Sequence, residues 1–182
     1  MWHLNNKKSG KTVNVQSGFS ILETLISAVV LLVGVVPVLA LFGVAAGQNK
    51  RQGDFATRTI EYSQDKMEQL LSLDFNDAST NTTVFPASPT GGTGLGGVMA
   101  SSTTVGGTNI AAPVAGYVDY LDANGNLLPG SEGSFYIRLW SISTDGTGNI
   151  KTVQVVTAAE SSVATTGPAP RTNLVGAKGF GH

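Results

Sequence analysis

The chain has 182 residues, enough for one ordinary domain, and 13% of them are charged, with a formal net charge of −1. That balance gives no electrostatic reason to expect nucleic-acid binding. There is no cysteine, and the two histidines, His3 and His182, sit at opposite ends; disulfides, cysteine-ligated zinc and thiol nucleophiles are excluded, and a histidine-based catalytic pair or metal site is not expected.

Residues 1–18 carry Lys7, Lys8 and Lys11 and no acid; without them the chain holds 8 basic and 12 acidic residues. Positive charge is therefore concentrated ahead of residue 19. Residues 19–47 read FSILETLISAVVLLVGVVPVLALFGVAAG, a run of 29 residues with Glu23 as its single charge. A membrane span needs about 20 apolar residues, whereas a secretory signal core has only about 7–15, so the run suits a span. An ionised carboxylate in a bilayer costs roughly 2.5–3.5 kcal/mol on insertion scales, so Glu23 calls for a partner. Ser20 and Glu23 also fit the capping box S-x-x-E, which would account for those two residues as a helix start alone.

The stretch Ser17-Gly18-Phe19-Ser20-Ile21-Leu22-Glu23, behind a lysine-bearing leader and ahead of an apolar helix, resembles the class III signal of type IV prepilins and type II secretion pseudopilins. The resemblance implies that residues 1–18 are a leader cut off after Gly18 by a prepilin peptidase, and that Phe19 becomes an N-methylated N-terminus. It implies too that Glu23 pairs with the N-terminal amine of a neighbouring subunit. The physics agrees: glycine admits close backbone approach at the cut, and a buried ammonium and carboxylate each relieve the other's desolvation. Ile21 stands where leucine is commoner in the family, and the mid-segment proline lies at Pro37.

Charge sets the expected topology. Three lysines precede the span, and Lys50 and Arg51 follow it with Asp54 nearby, a bias towards a cytoplasmic leader and an exported remainder. Residues 48–75 continue a helical pattern, with Ala56, Ile60, Met67 and Leu70-Leu71 on one face, Ser63 as the weak position there, and Asp54 spaced to pair with Arg58. Residues 19–75 would make about 85 Å of helix. Gly34 and Pro37 should weaken it locally, as a stretch that kinks or melts during assembly or as a passive kink.

Residues 76–116 are rich in Thr, Ser, Gly, Ala and Pro, with Asp77 as the one charge, and read as a long loop or poorly ordered segment. They hold a formal G-x-G-x-x-G at 92–97, but the flanks offer neither the strand nor the helix that a dinucleotide site needs. Residues 117–160 read as an antiparallel sheet of three or so strands: 117–121, the turn Asp122-Ala123-Asn124-Gly125-Asn126, 134–144, a second turn at 145–148, and a return from Ile150 to residue 158. Asp122, Asn124 and Asn126 alternate as calcium ligands do, but Leu127 and Gly133 break the pattern, and a plain turn is favoured. Trp140 falls one residue out of the apolar alternation, placing it either on the outer face as a subunit contact or in the core. Residues 161–182 read as a loose tail.

The expected fold is α+β and, by the resemblance, pilin-like: a long N-terminal helix, membrane half and amphipathic half, packed on a small antiparallel sheet. The implied function is that of a structural subunit, in the first place a minor pilin of a type IV pilus or related filament, with no catalysis and no cofactor. A type II secretion pseudopilin and a single-pass membrane-anchored binding protein are the alternatives. The implied partners are other pilin subunits, the prepilin peptidase and methyltransferase, an inner-membrane assembly platform and membrane lipid. The implied location is the inner membrane, then a periplasmic or cell-surface filament.

Overall fold

A computed structural model describes residue 18, residues 20–160 and residues 168–181. The chain divides into two compact units, Met1–Ala45 and Ala46–His182. In the first, the described part beyond Ser20 is the apolar beginning of helix α1, Ile21–Ser72. The second holds the rest of α1 and the strands β1 (Thr104–Gly106), β2 (Val118–Leu121), β3 (Leu127–Leu128), β4 (Tyr136–Thr144), β5 (Ile150–Ala159) and β6 (Arg171–Gly179). All described strand pairs are antiparallel, in the order β3-β2-β4-β5-β6. β1 shares β4's side with β2, against Ser141–Ser143 where β2 takes Tyr136–Leu139.

Local chemistry sets the turns. The Asp122 carboxylate accepts the N–H groups of Asn124 and Asn126 and the Asn126 side-chain amide, a plain turn that leaves the alternating residues bonded to one another. Gly125 holds φ at 87°, and a Cβ there would lie 2.6 Å from the Tyr62 ring, so the turn sits directly against α1. At the next turn Asp145 accepts from Thr147 Oγ1 and from the N–H groups of Asn149 and Ile150.

The second half of α1 lies on one face of the sheet, over a core of Met67, Leu70, Leu95, Trp140, Ile142, Val153 and Val155. Each such fully buried side chain contributes roughly 1.5–3 kcal/mol. The buried face differs from the apolar stripe expected: it is Thr59, Tyr62, Ser63, Lys66, Met67 and Leu70, while Ile60 is 45% exposed. The reason lies across the interface. Ser63 donates to Thr157 Oγ1 at 2.7 Å and Thr59 meets Thr172 at 2.8 Å, so small hydroxyls pair between helix and sheet and need no apolar partner. Nor does Arg58 pair with Asp54; its guanidinium donates to Tyr62 Oη and to the Ala123 carbonyl.

The core decides one open alternative, and the C-terminal tail needs correction. Of the two places open to Trp140, the core is the one it takes: it is fully buried beneath α1. β4 is covered on both faces, since Ile137 and Leu139 pack on the far side with Ile110, Val118 and Tyr120, and a doubly covered strand loses its alternation. The expected loose tail contains a nine-residue strand, β6, held by an unbroken ladder to β5. Its sequence RTNLVGAKG shows little apolar signal because Leu174 is its one large apolar residue facing the helix side, where Gly176 lets Met67 approach. Residues 76–116 contain β1 and are otherwise irregular, with residues 92–97 flanked by neither strand nor helix.

Candidate functional site

Ser20 closes the start of α1: its hydroxyl accepts Leu22 N–H at 3.3 Å and its carbonyl accepts Thr24 N–H at 3.1 Å. Glu23 stands in the first turn, where the helix dipole favours a negative charge. It does not complete a capping box. Among the described residues its carboxylate takes no hydrogen bond and no ion pair, and it is exposed. Gly18 is exposed, with open space around the position a Cβ would take. Phe19 and the leader lysines lie outside the described residues.

From residue 21 to residue 50 every residue of α1 is exposed. The apolar stretch has a mean hydropathy of 2.9 over its best 18-residue window, and α1 is long and apolar enough to cross a membrane. α1 passes Gly34 and Pro37 as continuous helix. Pro37 brings no N–H, so one carbonyl of the preceding turn loses its intrahelical donor there.

A second, polar constellation lies in the globular unit, and the sequence reading did not anticipate it. Lys66 Nζ, on the sheet-facing side of α1, meets Asp119 Oδ2 of β2 at 2.7 Å, and Arg138 of β4 reaches the same oxygen through Nε at 3.0 Å and Nη2 at 2.7 Å. Arg138 Nη1 donates to the Tyr62 carbonyl at 2.9 Å and to Asp65 at 3.2 Å. Lys66 also donates to the Thr82 carbonyl and lies 4.5 Å from the Trp140 ring centroid. Burial, with Arg138 adding repulsion, lowers the Lys66 pKa to about 8 against the pull of Asp119. The cluster borders a cleft of about 790 Å³ whose rim includes Asp65, Phe85 and Leu127. Its charges are spent on one another, which suits a structural lock better than a reactive group. A signal existed: Lys66 falls between Ser63 and Leu70 on the buried face, and Asp119 and Arg138 interrupt strands in a chain with few charges.

Lys151 does comparable work at the other end of the sheet. Its ammonium donates to the carbonyls of Phe75 at 2.5 Å, Leu95 at 2.9 Å and Gly97 at 2.6 Å, and lies 4.8 Å from the Phe75 ring centroid. Burial lowers its pKa, with Asp77 opposing. Asp77 in turn accepts from Ser79 N–H and from Thr80 N–H and Oγ1. The glycine-rich segment after α1 is thereby tied down by one cation in a cage of backbone oxygens.

Comparison of the chain with protein-family models, with curated proteins and with solved structures found no match.

Proposed function

We propose that the chain is a structural subunit of a type IV pilus or related filament, most simply a minor pilin. It enters the membrane through the apolar half of α1, is cut after Gly18, and assembles through that same helix without catalysis of its own. One observation carries the reading: α1 begins with an exposed apolar run whose single charge, Glu23, has no partner among the described residues. A bilayer or the apolar helices of neighbouring copies would remove that surface from water. The carboxylate then needs a cation in an apolar setting, and the amine that cleavage creates at a neighbour's Phe19 supplies one. The layout of one long helix whose second half packs on a small antiparallel sheet fits this role.

A type II secretion pseudopilin uses the same residues and is the second reading within this class. A single-pass anchored binding protein explains the helix but gives Glu23 no partner. The test is intact-mass measurement of the protein made in a host with a prepilin peptidase and in one without. The peptidase host should yield a chain starting at Phe19 with one added methyl group. A full-length or differently cut chain in that host would overturn the proposal and favour a plain anchor. Residues 1–18 and their expected cytoplasmic side, the peptidase and methyltransferase, the assembly platform and the lipid all belong to this proposal and stand or fall with the measurement.

A further inference from the structure

β6 is an outer strand of the sheet, paired with β5 and with no other described strand. Its ladder fixes which backbone groups face outward. Phe180 N–H donates to the Asn149 carbonyl and Ala159 N–H to the Pro170 carbonyl, and both couples continue the β5–β6 register. The hydrogen-bonded pairs therefore involve the even-numbered residues of this strand. In an antiparallel pair such positions alternate with ones whose N–H and C=O point away from the partner. Arg171, Asn173, Val175, Ala177 and Gly179 accordingly turn their backbone groups to the open edge.

Open edges are usually blunted by shortness, charge, proline or a bulge. The opposite end of this sheet follows that rule: β3 has two residues and Pro129 follows it. β6 does not. It runs nine residues without a bulge, residues 173–177 carry no charge and no proline, and Val175 at its centre is 65% exposed. One edge is closed and the other is a ready template for strand addition.

We propose that the outer edge of β6 pairs with the same edge of a second copy of this chain, antiparallel and centred on Val175. The occupant follows from the register. A two-fold pairing about Val175 sets Arg171 opposite Gly179, Asn173 opposite Ala177 and Val175 opposite Val175, so each outward-facing residue meets an outward-facing residue. On the other face Thr172 meets Lys178, and Leu174 fills the space over Gly176. No like charges face each other; Arg171, Asn173 and Leu174 meet small residues, and the two Val175 side chains form an apolar pair at the centre. The other described end strands, β3 with two residues and β1 with three, offer a β6 edge too few partners, which rules against head-to-tail addition. A two-fold contact closes on itself; it would pair two copies or link two filaments rather than extend one. The inference goes beyond the filament reading and does not depend on it.

The chain has no cysteine, so single cysteines report the register directly. Opposed residues of a hydrogen-bonded antiparallel pair have Cα atoms about 5.5 Å apart, within disulfide reach. Two copies of residue 173 would be four residues out of register, about 13 Å apart. The full-length protein in detergent micelles should form a covalent dimer from Val175→Cys under mild oxidation, about tenfold faster than from Asn173→Cys alone. A mixture of Asn173→Cys and Ala177→Cys should crosslink at a rate close to that of Val175→Cys. Val175→Pro, which removes an outward N–H and leaves the β5 ladder whole, should abolish the Asn173–Ala177 crosslink. If Val175→Cys stays monomeric, or Asn173→Cys alone crosslinks as fast, the proposal is overturned; the latter result would mark association through the apolar helix.

Discussion

Lys66 and Asp119 meet at 2.7 Å, Nζ to Oδ2, with side chains 1% and 0% exposed. The same carboxylate oxygen takes both bonds from Arg138, while Asp119 Oδ1 has no hydrogen-bond partner. One buried anion therefore holds two cations, and its removal should cost more than the removal of either cation. Asp119→Asn should destabilise the fold by about 3–5 kcal/mol, because it takes the buried counter-charge from Lys66 and leaves Arg138 only the partly exposed Asp65. The combined Lys66→Met, Asp119→Leu, Arg138→Met variant should lose much less. Denaturant unfolding decides between these expectations. A loss below about 1 kcal/mol for Asp119→Asn would show that the two cations find solvent without it.

The lowered pKa of Lys66 gives stability an unusual pH dependence. The group titrates near 8 in the folded chain against 10.5 when exposed. Between those values the unfolded chain binds more protons than the folded one, so stability rises with pH across that window. Lys151, lowered in the same direction, adds to the rise. Raising the pH from 8 to about 9.5 should therefore stabilise the wild type, Lys66 contributing up to about 2 kcal/mol of the gain. Lys66→Met should flatten the curve. A wild-type midpoint that falls across this range would contradict the assignment.

The Lys151 cage predicts a local effect. Lys151→Met removes the donor shared by the carbonyls of Phe75, Leu95 and Gly97 and leaves buried acceptors unpaired. Hydrogen exchange should quicken across residues 75–97 well before the β4–β5 ladder responds. Uniform change over the whole sheet would mean that the cage supports the global fold instead of this segment.

The helix was legible because two signals overlap along it: an unbroken apolar run, then a helical repeat with no strong breaker. β4 and β5 were legible from apolar runs separated by the Asp145 turn. β6 was hidden because backbone bonds and a glycine, which leave little hydrophobic trace, hold it in place. The order of residues 76–116 was hidden for a related reason: it depends on an ammonium contributed from β5, at Lys151, which local composition does not reveal. The polarity of the packed helix face escaped notice because Ser63 and Thr59 are satisfied only by Thr157 and Thr172, far along the chain. At the candidate site Glu23 and the apolar run were plain in the sequence, and what the structure adds is that Ser20 caps the helix without help from the Glu23 carboxylate.

Glu23 carries the last prediction. Two roles compete for it. As a mere helix-start residue it would contribute about 0.5–1 kcal/mol through the dipole, and Glu23→Gln would keep most of its function. As the counter-ion of a neighbour's amine it must be charged, and Glu23→Gln would fail nearly as badly as Glu23→Ala. Neither change should hinder membrane insertion, since removing a carboxylate from an apolar run lowers the cost of membrane residence. The expected outcome is thus a split: wild-type amounts of both variants in the membrane fraction, with subunit–subunit crosslinking along residues 21–47 reduced for both. Glu23→Asp should keep part of the assembly, its charge being retained on a shorter arm. Full assembly of Glu23→Gln would leave the pairing role without support, and loss of both variants from the membrane would return Glu23 to helix stability alone.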